Sequence, residues 1–220
     1  MKITEILPLA GCPDCEGTGY VYYIDANDYE YSRICDCIMK QRAAFRRGKS
    51  GLTPTQFDTF ETTENWQHKV KNTAMQYSSH GKGWFFIGGQ RGCGKSHICK
   101  AICDKLMEHH NVGYMNYVAE VRRLKYDSTE DDIERWKNIE ILYIDDLFKV
   151  APTDAELKII FEIINHRYEN NKSTIISSEK LFSELMDIDE AIASRIKEKT
   201  GSYMLNIAHD DSRNYRLKKG

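Results

Sequence analysis

The sequence predicts an α/β protein: a parallel sheet between helices that carries a phosphate loop, with a small cysteine-based metal module ahead of it. Three observations lead there. Apolar strand runs alternate with helical patterns between residues 84 and 207, the signature of strands joined by covering helices. Gly89-Gln-Arg-Gly-Cys-Gly-Lys95-Ser96 follows the first of those runs and fits the G-x-x-x-x-G-K-[ST] spacing. Cys12, Cys15, Cys35 and Cys37 stand in two pairs near the N-terminus.

The elements follow in order. Residues 11–50 are punctuated by Gly, Cys and Asp, and the aromatic run Tyr20 to Tyr23 reads as one strand of a hairpin between the cysteine pairs. A helix is expected from about Ile38, with the basic stretch Lys40 to Lys49 as its outer face. Gly48-Lys-Ser-Gly51 reads as a linker, which divides the chain into a module at 1–50 and a core domain at 51–220. Thr62 to Ser79 looks helical, Trp84 to Ile87 is a buried strand, and Lys95 to His109 is a helix with Ile98, Ala101, Ile102 and Leu106 on one face. Val112 to Val118 is a strand and Ala119 to Tyr126 a helix. The acidic stretch Asp127 to Asp132 reads as a loop, and Ile139 to Ile144 is the third core strand. Thr153-Asp154 caps a helix that runs to about Glu169. Ser173 to Ser178 is a fourth strand, Asp189 to Lys199 a last helix and Tyr203 to Ile207 a final strand.

Composition narrows the function. At 220 residues the chain suits one medium domain with a small appendage, and 41% apolar residues is ordinary for a globular protein. A net charge of −2 supplies no global attraction to nucleic acid or acidic membranes, so any such contact needs a local patch. No apolar run reaches transmembrane length, and Met1 to Ala10 lacks the layout of a signal peptide. The expectation is a cytoplasmic protein with no membrane partner. There, thiols stay reduced, which points the N-terminal cysteines to metal and leaves Cys99 and Cys103, spaced i, i+4, to core packing.

The phosphate loop explains its own spacing. Its glycines let backbone N–H groups turn toward phosphate oxygens, and the helix that follows aims its positive end at the anion. The nucleotide is therefore expected on Gly89, Gln90, Arg91, Gly92, Cys93, Gly94, Lys95, Ser96 and His97. Lys95 would neutralise the β and γ phosphates of ATP, and Ser96 would offer its hydroxyl to Mg²⁺. Ile141 to Ile144 ends in Asp145-Asp146, which places two carboxylates at the sheet edge beside the loop. Asp145 would hold Mg²⁺, and Asp146 would orient or deprotonate the attacking water.

With these residues in place, the core resembles the AAA+ helicase loaders of the DnaC and DnaI type, a group that includes the transposition helper IstB. Asp145-Asp146 matches the acidic pair typical of loaders. Phe57-Asp-Thr-Phe60 resembles the aromatic segment near the adenine, Ala193-Ser-Arg195-Ile the arginine-finger segment, and Asn214-Tyr-Arg216 the loaders' C-terminal Ser-Tyr-Arg. As in the loaders, no helical lid domain is expected after the last strand. The resemblance implies ATP hydrolysis, self-association on ATP, and an Arg195 that reaches the γ-phosphate of a neighbouring subunit; the other reading of Arg195 is a salt bridge with Glu198 or Glu190. Arg216 is a further nucleotide-binding candidate. Loaders end their fourth strand with an Asn that senses the γ-phosphate; here Ser178-Glu179 stands instead, the role is left between them, and an ionised Glu179 is expected to repel that phosphate.

Cys12-Pro-Asp-Cys15 and Cys35-Asp-Cys37 supply four thiolates for a tetrahedral Zn²⁺, with residues 16–34 forming the hairpin that joins them. So small a module buries little, and metal binding supplies its folding energy, on the order of 10 kcal/mol. It resembles the zinc-binding N-terminal domains of some bacterial and phage loaders, which implies the hexameric replicative helicase as partner. The basic stretch, with Tyr22, Tyr23 or Phe45 as stacking platforms, offers a second contact, to single-stranded DNA. Three alternatives share the phosphate loop: an IstB-type ATPase serving a transposase, a small-molecule kinase, and a module that holds ATP without hydrolysing it.

Overall fold

The computed structural model describes residues 3–127 and 129–215. In chain order it contains the strands β1 (Tyr20–Ile24) and β2 (Glu30–Ile34), the helices α1 (Asp36–Ser50) and α2 (Asn65–Ser78), strand β3 (Trp84–Gly89) and helix α3 (Lys95–Leu106). Then come β4 (Val112–Asn116), α4 (Tyr117–Asp127), α5 (Glu130–Asn138), β5 (Ile141–Asp145) and α6 (Asp154–Glu169). The chain continues through β6 (Ser173–Ser178), α7 (Phe182–Ile188), α8 (Glu190–Thr200) and β7 (Met204–Ile207).

β3 to β7 form one parallel sheet in the order β4-β5-β6-β3-β7. Every strand therefore ends on the same edge, and the order reverses around β3, the position where α/β sheets open a crevice for ligands. β3 and β5 are buried along their whole length, which explains their unbroken apolar runs. On one face Phe85, Ile87, Tyr143 and Ile175 meet Val70, Ala74 and Tyr77 of α2 and Ile98, Ile102 and Leu106 of α3. On the other, Trp84, Phe86, Leu142, Ile144 and Ile176 meet α4 to α8 through Val121, Trp136, Ile160, Ile164, Leu185, Ile192 and Ile196.

Two expectations change here. The acidic stretch read as a loop opens a helix: Thr129 and Asp132 form a capping box at the start of α5, so Asp132 is a cap rather than a solvated loop acid. Its far end is held by Arg167, which is fully buried and donates to the carbonyls of Trp136, Lys137 and Ile139, to that of Ser173, and to the Thr174 hydroxyl. A cation at a helix C-terminus meets the orphan carbonyls there. Ahead of α8 the sequence hides a separate short helix, α7, split from it at Asp189, whose carboxylate caps α8 through the Ile192 N–H.

The N-terminal module also departs from the expected pattern. α1 starts at Asp36 and runs through Gly48 to Ser50, and Gly51, at φ +70°, ends it. The linker therefore begins at Gly51, not Gly48. The reason is packing: Arg47 donates to the carboxylate of Asp104 on α3, and Arg46 donates to the carbonyls of Met107 and Glu108 at the end of the same helix. The basic stretch is thus not one free outer face. Arg46 and Arg47 point to the core, Arg42 is half-buried, and Lys40 and Lys49 stay exposed, Lys49 over the Phe45 ring.

Among the described residues no helical lid follows β7. Residues 208–215 fold back over the phosphate loop: Asp210 and the Gln90 side chain exchange two hydrogen bonds, and the Tyr215 N–H donates to the Gly92 carbonyl at 3.1 Å. No helix is long and apolar enough to cross a membrane.

Candidate functional site

The loop after β3 wraps the N-terminus of α3. Gly92 and Gly94 hold φ of +76° and +88°, and a Cβ on either would collide, with Asn214 and with the Phe60 ring respectively. Only glycine suits both positions. Lys95 opens α3 with its ammonium buried against the carbonyls of Gly89 and Gln90, at 2.7 and 2.6 Å; burial lowers its pKa. The Ser96 hydroxyl donates to Asp145 at 3.0 Å.

Asp145 is the most heavily solvated acid of the site, although its solvent is protein. Hydroxyls of Ser177, Tyr143, Ser96 and Tyr114 all donate to it, at 2.6, 2.7, 3.0 and 3.1 Å. Burial pushes its pKa up, but these bonds outweigh burial and the net shift is downward, which keeps the carboxylate charged. Asp146 follows in a left-handed conformation, φ +60°, and pairs with Lys149 at 2.5 Å. Lys149 also lies 3.5 Å from Glu179, whose other oxygen accepts from Arg91 at 2.6 Å. One cavity is lined by Arg91, Gly92, Gly94, Lys95, Ser96, His97, Asp146 and Glu179. A second adjoins it across Gly92, Gly94 and His97 and is walled by Phe60, Tyr215 and the Thr59–Glu61 segment. A charged cavity at a helix N-terminus beside an aromatic one matches the two ends of a nucleotide.

The four N-terminal cysteines converge. Their Sγ atoms all lie within 4.8 Å of one another, with Cys12–Cys35 and Cys15–Cys37 both at 3.7 Å, and all four are buried. A tetrahedral site with bonds of about 2.3 Å has sulfur–sulfur edges of roughly 3.8 Å, so the two 3.7 Å edges match a Zn²⁺ cage and the four-thiol cluster is compatible with the metal. Burial raises the Cys15 thiol, but N–H groups of Gly19 and Gly17 and the neighbouring thiols bring it down to about 7. Cys35 is pushed up to about 12: the Cys37 N–H pulls it down, and burial and the other three thiols outweigh that.

Comparison with known proteins decides the family of the core. The sequence profile of the bacterial DnaA ATPase domain matches residues 53–201. The chain belongs to this family. It is an AAA+ ATPase of the group that includes replication proteins. YqaM of Bacillus subtilis (strain 168) is 31% identical over 214 residues, covering 85% of this chain and 67% of the relative. The crystal structure of the DnaC helicase loader superposes with a TM-score of 0.57 at 23% identity, covering 71% of this chain and 97% of that one. The replication initiator DnaA bound to AMPPCP and single-stranded DNA superposes with a TM-score of 0.62 at 20% identity, covering 77% and 55%. The two structures share the AAA+ fold with this chain; the cysteine module lies outside the matched DnaA profile.

Within this AAA+ frame the remaining candidates separate. Glu179 lines the cavity beside Lys95 and Ser96, whereas Ser178 is fully buried and donates to the Leu147 carbonyl at 2.6 Å, so of the two only Glu179 opens to that cavity. Its charge is matched by Arg91 and Lys149, and the expected bare repulsion is not what the cavity presents. Gln90 and Cys93 face away, Gln90 to Asp210 and the Cys93 thiol to the Gln90 carbonyl at 2.9 Å. Arg195 lies on α8, donates to Asn165 and to the Ala191 carbonyl, and stacks over Phe161 and Tyr168; Glu198 accepts instead from Tyr168. Arg216 lies outside the described residues. Sequence reasoning missed Tyr114, Tyr143, Ser177 and Lys149. Tyr143 alone had a local signal, since it lies two residues before Asp145 on the same face of a strand.

Proposed function

We propose that this chain is an ATP-hydrolysing switch that loads a hexameric replicative DNA helicase onto single-stranded DNA. The observation that carries the reading is the grip of α1 on α3. The helix whose N-terminus forms the phosphate loop is held at its other end by Arg46 and Arg47 of the cysteine module, so the nucleotide and the module share one rigid element. A module docked in this way is suited to present a partner surface whose position follows the nucleotide. Likeness to a helicase loader in fold, and to an initiator seen with single-stranded DNA, supports the choice of partners.

In this reading Lys95 and the loop from Gly89 to His97 take the phosphates, with Phe60 and His97 beside the base. Ser96 and Asp145 would hold Mg²⁺, whose role is to neutralise charge on the β and γ oxygens. Asp146 accepts a hydrogen bond from the attacking water, and Arg195 reaches the nucleotide of a second copy in an ATP-bound assembly. Cys12, Cys15, Cys35 and Cys37 bind Zn²⁺ and set the shape of the module. Residues 1–50 act as the helicase-facing module and 51–220 as the motor. The basic stretch adds little to DNA binding, because Arg46 and Arg47 are engaged with α3.

The test is affinity purification of the tagged chain from its native host in the presence of ATP. Recovery of the replicative helicase, lost when ADP replaces ATP, supports the proposal. Recovery of a transposase without helicase, or of neither, overturns it.

A further inference from the structure

The turn after β5 is built with unusual care. Asp146 and Phe148 both adopt left-handed backbone, at φ +60° and +54°, which L residues enter only where surrounding structure holds them. Here β6 does so: the Leu147 N–H donates to the Ser177 carbonyl at 2.9 Å, and the Ser178 hydroxyl donates to the Leu147 carbonyl at 2.6 Å. Phe148 is fully buried, and the Lys149 N–H closes the turn on the Asp146 carbonyl at 3.1 Å. The turn therefore delivers one side chain, Lys149, to a fixed place. Its ammonium sits 2.5 Å from Asp146 and 3.5 Å from Glu179. Both carboxylates line the cavity that holds Lys95 and Ser96.

Glu179 directly follows β6, where a hydrogen-bond donor to the terminal phosphate would be expected, and an ionised carboxylate cannot donate. Arg91 matches its charge from the other side, at 2.6 Å. The cation one carboxylate's width from the phosphate cavity is Lys149. We propose that Lys149 is the residue that reads the terminal phosphate of ATP, tethered by Glu179, and that it gives up Asp146 to do so. The inference rests on the ATPase reading of the site. An ammonium has three donors, so Glu179 and a phosphate oxygen can both be served while the Asp146 carboxylate becomes available to water. With no terminal phosphate, Lys149 returns to Asp146 and blocks it. The chain then hydrolyses ATP only after the phosphate has displaced this pair.

The test compares the parent chain, Lys149→Met and Lys149→Arg by calorimetry with Mg²⁺ and two ligands, ADP and the non-hydrolysable analogue AMPPCP. The parent should bind AMPPCP more tightly than ADP. Lys149→Met should weaken AMPPCP about tenfold, which is 1.4 kcal/mol, and change ADP less than twofold; Lys149→Arg should keep the discrimination. If Lys149→Met does not fold, Lys149→Ala serves instead, since it removes the same ammonium and should narrow the same ratio. An unchanged ratio in the folded variant, or equal losses for both ligands, overturns the role of Lys149 and leaves the ATPase reading standing. Failure of the parent to bind either ligand overturns the ATPase reading, and this inference with it.

Discussion

Arg47 of the cysteine module grips Asp104 of the core with two parallel hydrogen bonds, at 2.8 and 3.2 Å. Asp104 lies on α3, nine residues on from Lys95, so this fork joins the module to the helix of the phosphate loop. Both side chains are mostly shielded, at 30% and 15% exposure, which lifts the pair above the usual worth of a surface salt bridge. Replacing Arg47 by Ala should cost about 1–2 kcal/mol and lower the melting temperature by roughly 2–8 °C. Unchanged thermal unfolding would show that the module is not fastened there.

Lys95→Ala should abolish ATP binding and leave the fold intact. The ammonium rests on two loop carbonyls and is the main counter-charge available to the terminal phosphates. Calorimetry checks the binding and circular dichroism the fold. Parent-like ATP affinity in the variant would place the nucleotide elsewhere.

One zinc per chain is expected, bound by Cys12, Cys15, Cys35 and Cys37, and elemental analysis of anaerobically purified protein measures it. Replacing Cys12 and Cys15 by Ser should release the metal and melt the β1–β2 hairpin, because the cluster's five buried residues are the four thiols and Ile38. A strong chelator should do the same. Full zinc retention by the double variant would refute the cage.

Arg195→Ala should bind ATP nearly as the parent does and hydrolyse it poorly, since the phosphate loop of the same chain is untouched. Mixed with Lys95→Ala, it should regain some turnover at interfaces that pair an intact loop with an intact finger. No rescue despite demonstrated co-assembly would assign Arg195 to the α6–α8 contact alone, through Asn165, Phe161 and Tyr168.

The parts legible in the sequence were those fixed by local chemistry. The bounds of α6 agree with the expected Asp154 to Glu169 because Thr153 and Glu156 form a capping box. β6 agrees because an apolar run starts and stops at polar residues. The four cysteines meet because a hairpin of the expected kind lies between them. Misread features depend on partners distant in sequence. Gly48 looked like a linker and is helical, because Arg46 and Arg47 dock α1 on α3. The acidic stretch Asp127 to Asp132 looked like a loop, yet Asp132 caps α5 and pairs with Arg123. No spacing rule shows that Tyr114 from β4 and Ser177 from β6 both reach Asp145, or that Lys149 reaches Glu179 across two loops.

Hydrolysis rate tests the central claim most directly. Asp146 is one methylene shorter than a glutamate, so in the switch account it reaches the attacking water only once a partner closes the site. Steady-state ATP hydrolysis is measured for the chain alone, then with the replicative helicase and single-stranded DNA. The switch account predicts turnover well below about 10 per second for the isolated chain, and a clear rise when the partners are added. Fast turnover by the chain alone, unchanged by either partner, would contradict it.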